Sequence, residues 1–286
     1  MNKLPSAKRA KILGLMAEGV SLRAITRLEG VSKNTLAKLV EDAGEAFSDY
    51  QDRAFRNLPC KRVQVDEIWS FVYAKAKNVA GAKAAPKGAG DIWTWTALCA
   101  DTKLIPSWNV GNRDADAAHE FISDLASRLA SRVQLTSDGH GPYLQAVEDA
   151  FGADIDYAML VKSYGEPVGA TGRYSPGECT GVQLRRVEGR PDPAHVSTSY
   201  AERSNLSIRM GNRRFTRLTN AFSKKAANHD HSMAIYFMHY NIVRIHQTLR
   251  CTPAMAAGVT TKLWELADMV KVLEGWEAAN QTTQSN

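Results

Sequence analysis

Three strand-like runs follow one another at 62–73, 92–100 and 104–110, and only afterwards does the chain begin to alternate helix and strand. Three consecutive strands followed by alternating helix and strand are the pattern of an α/β sheet. Such a sheet is mixed, with helices on its faces. The first run, "KRVQVDEIWSFVY", alternates apolar and polar positions and is rich in β-branched and aromatic residues. After the third run, Ala118, Phe121, Ile122, Leu125 and Leu129 recur at helical spacing and predict a helix over 114–130. A short strand ending at Asp138 follows, then a helix over 142–151 and a strand over 156–162. The expected fold class is α/β, with a mixed sheet flanked by helices.

Smaller units precede and follow this centre. Residues 7–44 carry three short amphipathic patterns, with Ser21 and Ser32 at N-cap positions and Gly19, Gly30 and Gly44 where helices end. The middle pair, joined by Glu29-Gly30-Val31, has the layout of a helix-turn-helix. Its second helix would offer Lys33, Asn34, Thr35 and Lys38 to a major groove. Residues 1–50 are thus expected to form a DNA-binding domain, 51–61 a linker, and 62–250 the main domain. Residues 163–198, with six Gly and four Pro, read as a loop or insertion. From 199 the chain is helical and basic, and "HDHSMAIYFMHYNIVRIHQTL" predicts a long helix. Residues 251–286 complete it with a helix near 261–274 and a disordered tail.

Charge narrows the choice of partner. Of a net +6, residues 1–62 hold 12 Lys/Arg against 7 Asp/Glu, and residues 200–250 hold 9 against 2, so the remainder is acidic. Two basic blocks around an acidic middle suit a polyanion and, between the blocks, cations. No stretch approaches the roughly 20 apolar residues that span a bilayer, so no membrane segment is expected. The four cysteines, far apart and without a C-x-x-C pair, imply neither a zinc knuckle nor a disulfide framework and fit a cytoplasmic protein.

Three carboxylates stand out by position: Asp66 in the first strand, Asp138 at a strand end in "TSDGHGPY", and Glu202 in the helical "SYAERSNLSIRMGNRRFTRL". Phosphodiester chemistry uses two hard cations roughly 3.5–4 Å apart to clamp the attacking and leaving oxygens, and carboxylates from separate elements can hold them. Arg209, two turns after Glu202, is placed to bind a phosphate, with Arg213 and Arg214 just beyond. His140 is near enough to Asp138 to touch substrate. Asp156 replaces Asp138 only in a different strand register. His229, His231, His239 and His246 read as core or solvated histidines, and Trp69, Trp93, Trp95 and Trp108 as core aromatics. Ser137 and His140 make no nucleophile–base pair, since neither an elbow nor an orienting acid accompanies them.

In this order, "VDEIWS", "TSDGHGPY" and "ERSNLSIRMGNRRFTRLTNAFSKK" resemble the DDE transposases, specifically the insertion sequence one type. "HYNIVRIHQTLRCTPAMAAG" is similar to the closing segment of many insertion-sequence transposases and integrases. The resemblance runs over about 62–250. It implies an RNase H-like core, Asp66, Asp138 and Glu202 as ligands of two Mg²⁺ or Mn²⁺ ions, and Arg209 at the family's basic position. It further implies cleavage at element ends, strand transfer into target DNA, and at least a homodimer on paired double-stranded ends, at the nucleoid. The chain departs from the parent group in lacking its N-terminal cysteine zinc finger and in the longer separation of Asp138 from Glu202. A non-catalytic helix-turn-helix regulator, or a nuclease of the same fold without strand transfer, is the alternative.

Strand alternation sets Asp66 with Gln64 and Ser70, and Glu67 with Val65, Trp69 and Phe71. The two neighbouring acids are therefore expected on opposite faces, with only Asp66 in the site. A carboxylate among apolar neighbours needs a cationic or hydrogen-bonding partner, and one is expected for Glu67.

Overall fold

A computed structural model describes residues 3–165, 178–216 and 220–284. Its centre is a six-stranded sheet in the order β3-β2-β1-β4-β5-β6. The strands are β1 (Arg62–Val72), β2 (Gly90–Cys99), β3 (Trp108–Gly111), β4 (Gln134–Ser137), β5 (Asp156–Tyr164) and β6 (Cys179–Glu188). β1, β2 and β3 pair antiparallel, β4 lies parallel to β1 and β5 parallel to β4, and β6 closes the edge antiparallel to β5. A meander of three strands continued by two parallel ones is the RNase H-like arrangement, and helices cover both faces.

The helices are α1 (Ser6–Ala17), α2 (Leu22–Glu29), α3 (Lys33–Ala54), the short α4 (Ala76–Val79), α5 (Ala115–Arg128), α6 (Pro142–Phe151), α7 (Ser199–Gly211), α8 (Ala226–Met238), the short α9 (Pro253–Ala256) and α10 (Leu266–Gln284). One face of the sheet sends Val63, Val65, Trp95, Leu135 and Tyr157 into a core shared with Phe121 of α5 and Tyr143 of α6. The other sends Ile68 and Leu98 against Ile208 of α7 and Met233 and Phe237 of α8. The side-chain alternation of β1 thus sorts its residues between two helical layers.

Local chemistry sets several ends. Ser21 accepts a hydrogen bond from the Ala24 amide at 3.2 Å, Ser32 from Thr35 at 3.1 Å, and Asp114 from Ala117 at 3.0 Å, each supplying a partner to an otherwise orphaned helix-start N–H. Gly30 ends α2 at φ 60°, a conformation that costs glycine little. β3 begins four residues later than the apolar pattern suggests; Pro106, in the excluded part, has no N–H to give the ladder.

Four sequence expectations are corrected. First, Gly44 does not end a helix. α3 continues to Ala54, and Gly44 is where α8 crosses it, for a Cβ at this position would stand 2.3 Å from the His231 Cβ. The stretch expected as a linker is taken up by the last turn of α3 and by Leu58, which exchanges backbone hydrogen bonds with Arg128 and Ala130. Buried Gln51 and Arg128 join these layers: Gln51 donates to the Ala234 carbonyl at 3.3 Å, and Arg128 pairs with Asp124 at 2.7 Å and Asp52 at 2.9 Å.

Second, the Gly/Pro-rich stretch expected as loop contains β6. Residues 166–177 of that stretch lie outside the described residues. Third, the long helix expected through 249 stops at Met238 and passes through a π-type turn at His239–Val243. There Asn241 pairs with the peptide groups of Ile105, accepting from its N–H and donating to its carbonyl at 2.9 Å each. Fourth, the tail expected to be disordered continues α10 to Gln284. Glu274 and Glu277 of that helix accept from Ser6 at 2.6 Å, Lys3 at 2.8 Å and Arg9 at 3.1 Å, tying it to the N-terminus.

Candidate functional site

β4 is only four residues long, and its neighbours outrun it. The β1–β4 register pairs Gln64 with Thr136, so two positions further on Asp66 comes level with Asp138, where β4 has ended. β1 continues to Val72 and β5 to Tyr164, leaving a cleft of about 660 Å³ between them. Asp66, Asp138 and Glu202 all line it, together with Arg113, His140 and Lys162. An opening beyond the C-terminal end of one parallel strand, flanked by longer neighbours, is where sheets of this class place their ligands.

Each acid is held by its own element. Asp138 accepts the His140 amide at 2.9 Å, which bends the chain from β4 toward Pro142, the first residue of α6. Gly139 fits between, since a Cβ there would press on Val161 at 3.3 Å. Asp66 accepts the Glu67 amide at 2.8 Å and the Asn205 side-chain amide of α7, also at 2.8 Å. Glu202 accepts from Thr198 at 2.7 Å and is ion-paired with Lys162 of β5.

Glu67 joins this group, against the expectation that only one of the adjacent acids would face the site. One carboxylate oxygen from each of Asp66, Glu67 and Asp138 lies within 4.8 Å of the others. Alternation still holds at the Cβ level: Asp66 lies toward Asn205 of α7, and Glu67 toward Arg113 and Tyr143 of α6. Beyond Ser137, however, β4 no longer lies beside β1, and side chains from both faces can meet round its free edge. The expected cationic partner is Arg113, 3.4 Å from Glu67 Oε2 and 3.7 Å from Asp138. Glu67 is the residue that sequence reasoning left out of the site. No sequence signal marked it, since what matters is where β4 stops in the sheet while β1 runs on to Val72, past the level of Ser137.

The electrostatics separate three of the acids. Burial pushes the Asp66 carboxyl up to about 6, aided by the negative charges of Asp138 and Glu202. Burial likewise pushes Glu67 up to about 7, reinforced by Asp138 and opposed by Tyr143 and Arg113. For Glu202, burial acts upward, but the hydrogen bonds from Lys162 and Thr198 outweigh it and hold the carboxyl below its usual range. His140 is pushed down, first by burial and then by Arg113, and its ring lies 5.7 Å from that of Trp95. It borders the cleft as an uncharged ring rather than as a cation.

The donor set suits a hard divalent cation. It consists of carboxylate oxygens alone, without the thiolate or imidazole that would favour zinc or copper. The buried Glu67 Oε1 has no cationic donor and no partner at bonding geometry, the Tyr143 hydroxyl being the nearby neutral group. Asp66, Asp138 and Glu67 are the residues that could hold such an ion, and Glu202 stands on the same cleft.

The candidate DNA contacts lie elsewhere. Lys33, Asn34, Thr35 and Lys38 are exposed at the start of α3, with Lys38 paired to Asp42 at 2.9 Å. Arg209 shares the face of α7 that carries Glu202 and Asn205. Arg213 and Arg214 sit in the turn after α7 and line a second groove, with Arg23 and Lys33 opposite and Lys224 alongside. The structure thus brings Lys33 together with Arg213 and Arg214, apart from the carboxylates.

No protein-family model matches the chain, and no curated protein does. Solved structures similar to it include a piggyBac transposase synaptic complex with hairpin DNA, at 8% identity and a TM-score of 0.40, covering 98% of this chain and 72% of that one. The Mos1 strand transfer complex is 11% identical with a TM-score of 0.33, covering 97% and 77%. A Mos1 mariner paired end complex with Mn is 10% identical with a TM-score of 0.29, covering 84% and 78%.

Proposed function

We propose that this chain is a DNA transposase of the DDE kind, similar to the insertion sequence one type, cutting phosphodiesters at element ends and joining them to target DNA. The observation that carries it is the convergence of Asp66 from β1, Asp138 from the end of β4 and Glu202 from α7 on one cleft of an RNase H-like sheet. Divalent cations bound there, Mg²⁺ or Mn²⁺, would neutralise charge on the attacking and leaving oxygens of an in-line displacement. Asp66 and Asp138 would hold them, Asn205 fixing the Asp66 carboxylate. Glu202 would complete the set once Lys162 turns from it to a DNA phosphate. Arg209 would steady a phosphate beside the acids, and His140 would border the reacting strand.

The start of α3 would read the element end with Lys33, Asn34, Thr35 and Lys38, and the groove bearing Arg213 and Arg214 would track the adjoining backbone. Pairing two double-stranded ends calls for at least a homodimer, acting at the nucleoid in the cytoplasm. No described helix is long and apolar enough to cross a membrane.

A supercoiled plasmid carrying paired element ends tests this. With Mg²⁺ the protein should nick and then join ends, and Asp66→Ala, Asp138→Ala and Glu202→Ala should each lower nicking by on the order of a hundredfold to a thousandfold while sparing DNA binding. Nicking that survives in the variants sinks the triad. Nicking without joined products marks a nuclease, and binding without nicking a regulator.

A further inference from the structure

We propose that Glu67 is a third carboxylate ligand of the divalent cation held in the cleft, reaching it round the free edge of β1 from the face of the sheet opposite to Asp66. This rests on the cleft being a divalent-cation site, but not on the DNA chemistry performed there.

Three observations carry it. The Glu67 side chain is only 2% exposed, yet one of its oxygens lies within 4.8 Å of oxygens of both Asp66 and Asp138. Its Oε1 is buried, and the neighbouring group that could donate to it, the Tyr143 hydroxyl, is neutral and not in bonding geometry with it. A buried carboxylate oxygen without a donor is costly unless something else satisfies it, and the neighbouring oxygens of two other carboxylates can only repel it.

Arg113 does not resolve this. A guanidinium that neutralises a buried carboxylate closes on both oxygens through short paired hydrogen bonds. Arg113 instead stands 3.4 Å from one Glu67 oxygen and 3.7 Å from Asp138, and its own side chain is 39% exposed. One partly exposed cation therefore faces three carboxylates. The charge missing from the group is positive, and the open coordination sites are oxygens, which is the chemistry of a bound Mg²⁺ or Mn²⁺.

The geometry also explains why β1 can contribute neighbouring residues to one ion. Within a continuous sheet, adjacent strand residues are kept apart by the strand itself. Here the β4 side of β1 carries no ladder partner from the level of Asp66 until Val72 bridges to Ser223. Residues from opposite faces can therefore flank the edge like two jaws, with Asp138 closing the third side.

The test uses the full chain without DNA and follows Mn²⁺ binding through the paramagnetic resonance signal of the free ion. The wild-type protein should deplete that signal, and Glu67→Gln should weaken binding about tenfold or more, since loss of even an outer-shell partner costs that much. Asp268→Asn, at a distant acid, should leave it unchanged. Glu67→Cys provides the second arm: a thiolate in the ligand set should move preference from Mn²⁺ to the softer Cd²⁺. Melting in chelator checks that each variant folds. If Glu67→Gln binds Mn²⁺ within twofold of wild type, or Glu67→Cys gains no Cd²⁺ preference, the inference fails while the cation site stands. If the wild-type protein binds no Mn²⁺, the cation site fails and the inference with it.

Discussion

Asp268, near the start of α10, and the cleft acids show two ways of placing carboxylates in one protein. Asp268 is 8% exposed and fully partnered: Lys262 donates at 2.6 Å, Lys271 at 3.0 Å and the Glu265 amide at 3.1 Å. Those hydrogen bonds, led by Lys262, hold its carboxyl far below the usual range. Asp66 and Glu67 are partly buried, and their acidity is weakened to about 6 and about 7, with Arg113 shared between Glu67 and Asp138. An acid that serves the fold is neutralised by the chain. The cleft acids are left short of positive charge, as the proposed cation site would require.

Adding a divalent cation should break this symmetry most visibly. At a hundredfold excess over its dissociation constant, a bound ion stabilises the folded state by about 2.7 kcal/mol. For a chain of this size that is on the order of 5–10 °C in melting temperature. A thermal melt with and without Mn²⁺ should show that increment in wild type and lose most of it in Asp138→Asn. Asp268→Asn should lower the baseline but keep the increment. An equal loss of increment in both variants would erase the distinction between the two regions.

The pH dependence should differ in sign. Folding raises the Asp66 and Glu67 carboxyls, so between about pH 4 and 7 the folded, metal-free protein binds more protons than the unfolded chain. Their contribution is fully present below that window and is lost as pH rises through it. Asp268 does the reverse, contributing above the usual carboxylate range and losing its contribution as pH falls. In chelator, Glu67→Gln should therefore gain relative to wild type from pH 4.5 to 7.5, by on the order of 1–2 kcal/mol. Asp268→Asn should lose relative to wild type as pH rises toward about 4 and level off above it. Denaturant melts at several pH values would show whether the two difference curves slope oppositely.

The smallest effect sharpens the contrast with purely local structure. Ser32→Ala removes the N-cap of α3 and should cost about 1 kcal/mol at every pH and cation concentration. Any cation dependence in that penalty would mean that the start of α3 is coupled to the cleft.

What could be seen in the sequence divides along the same line. Asp138 was visible because strand, turn and helix start are written in neighbouring residues, "TSDGHGPY". Ser21, Ser32 and Gly30 were visible for the same reason. Glu67 was not, since alternation describes a strand with partners on both sides, and where β4 stops is a fact about another part of the chain. β6 was hidden because it is an exposed edge strand whose inward–outward signal is weak, bounded by glycines and prolines. The middle of α10 is tied through Glu274 and Glu277 to Lys3, Ser6 and Arg9, more than 260 positions away. Local pattern reaches local structure. It does not reach contacts that only the assembled layers create.

The crossing at Gly44 sets a length as well as a contact. With a single hydrogen separating α3 from His231, the two helices meet closely, and α8 runs into the turn whose Asn241 is pinned to Ile105, in the connection between β2 and β3. Under the proposed function, the start of α3 and the carboxylates would be the two marks of a ruler, joined through the turn after α8 and the β2–β3 connection rather than through a strand. The cut would then fall at a fixed number of base pairs from the sequence recognised. Loosening the crossing would blur the position of cleavage before it slowed the chemistry.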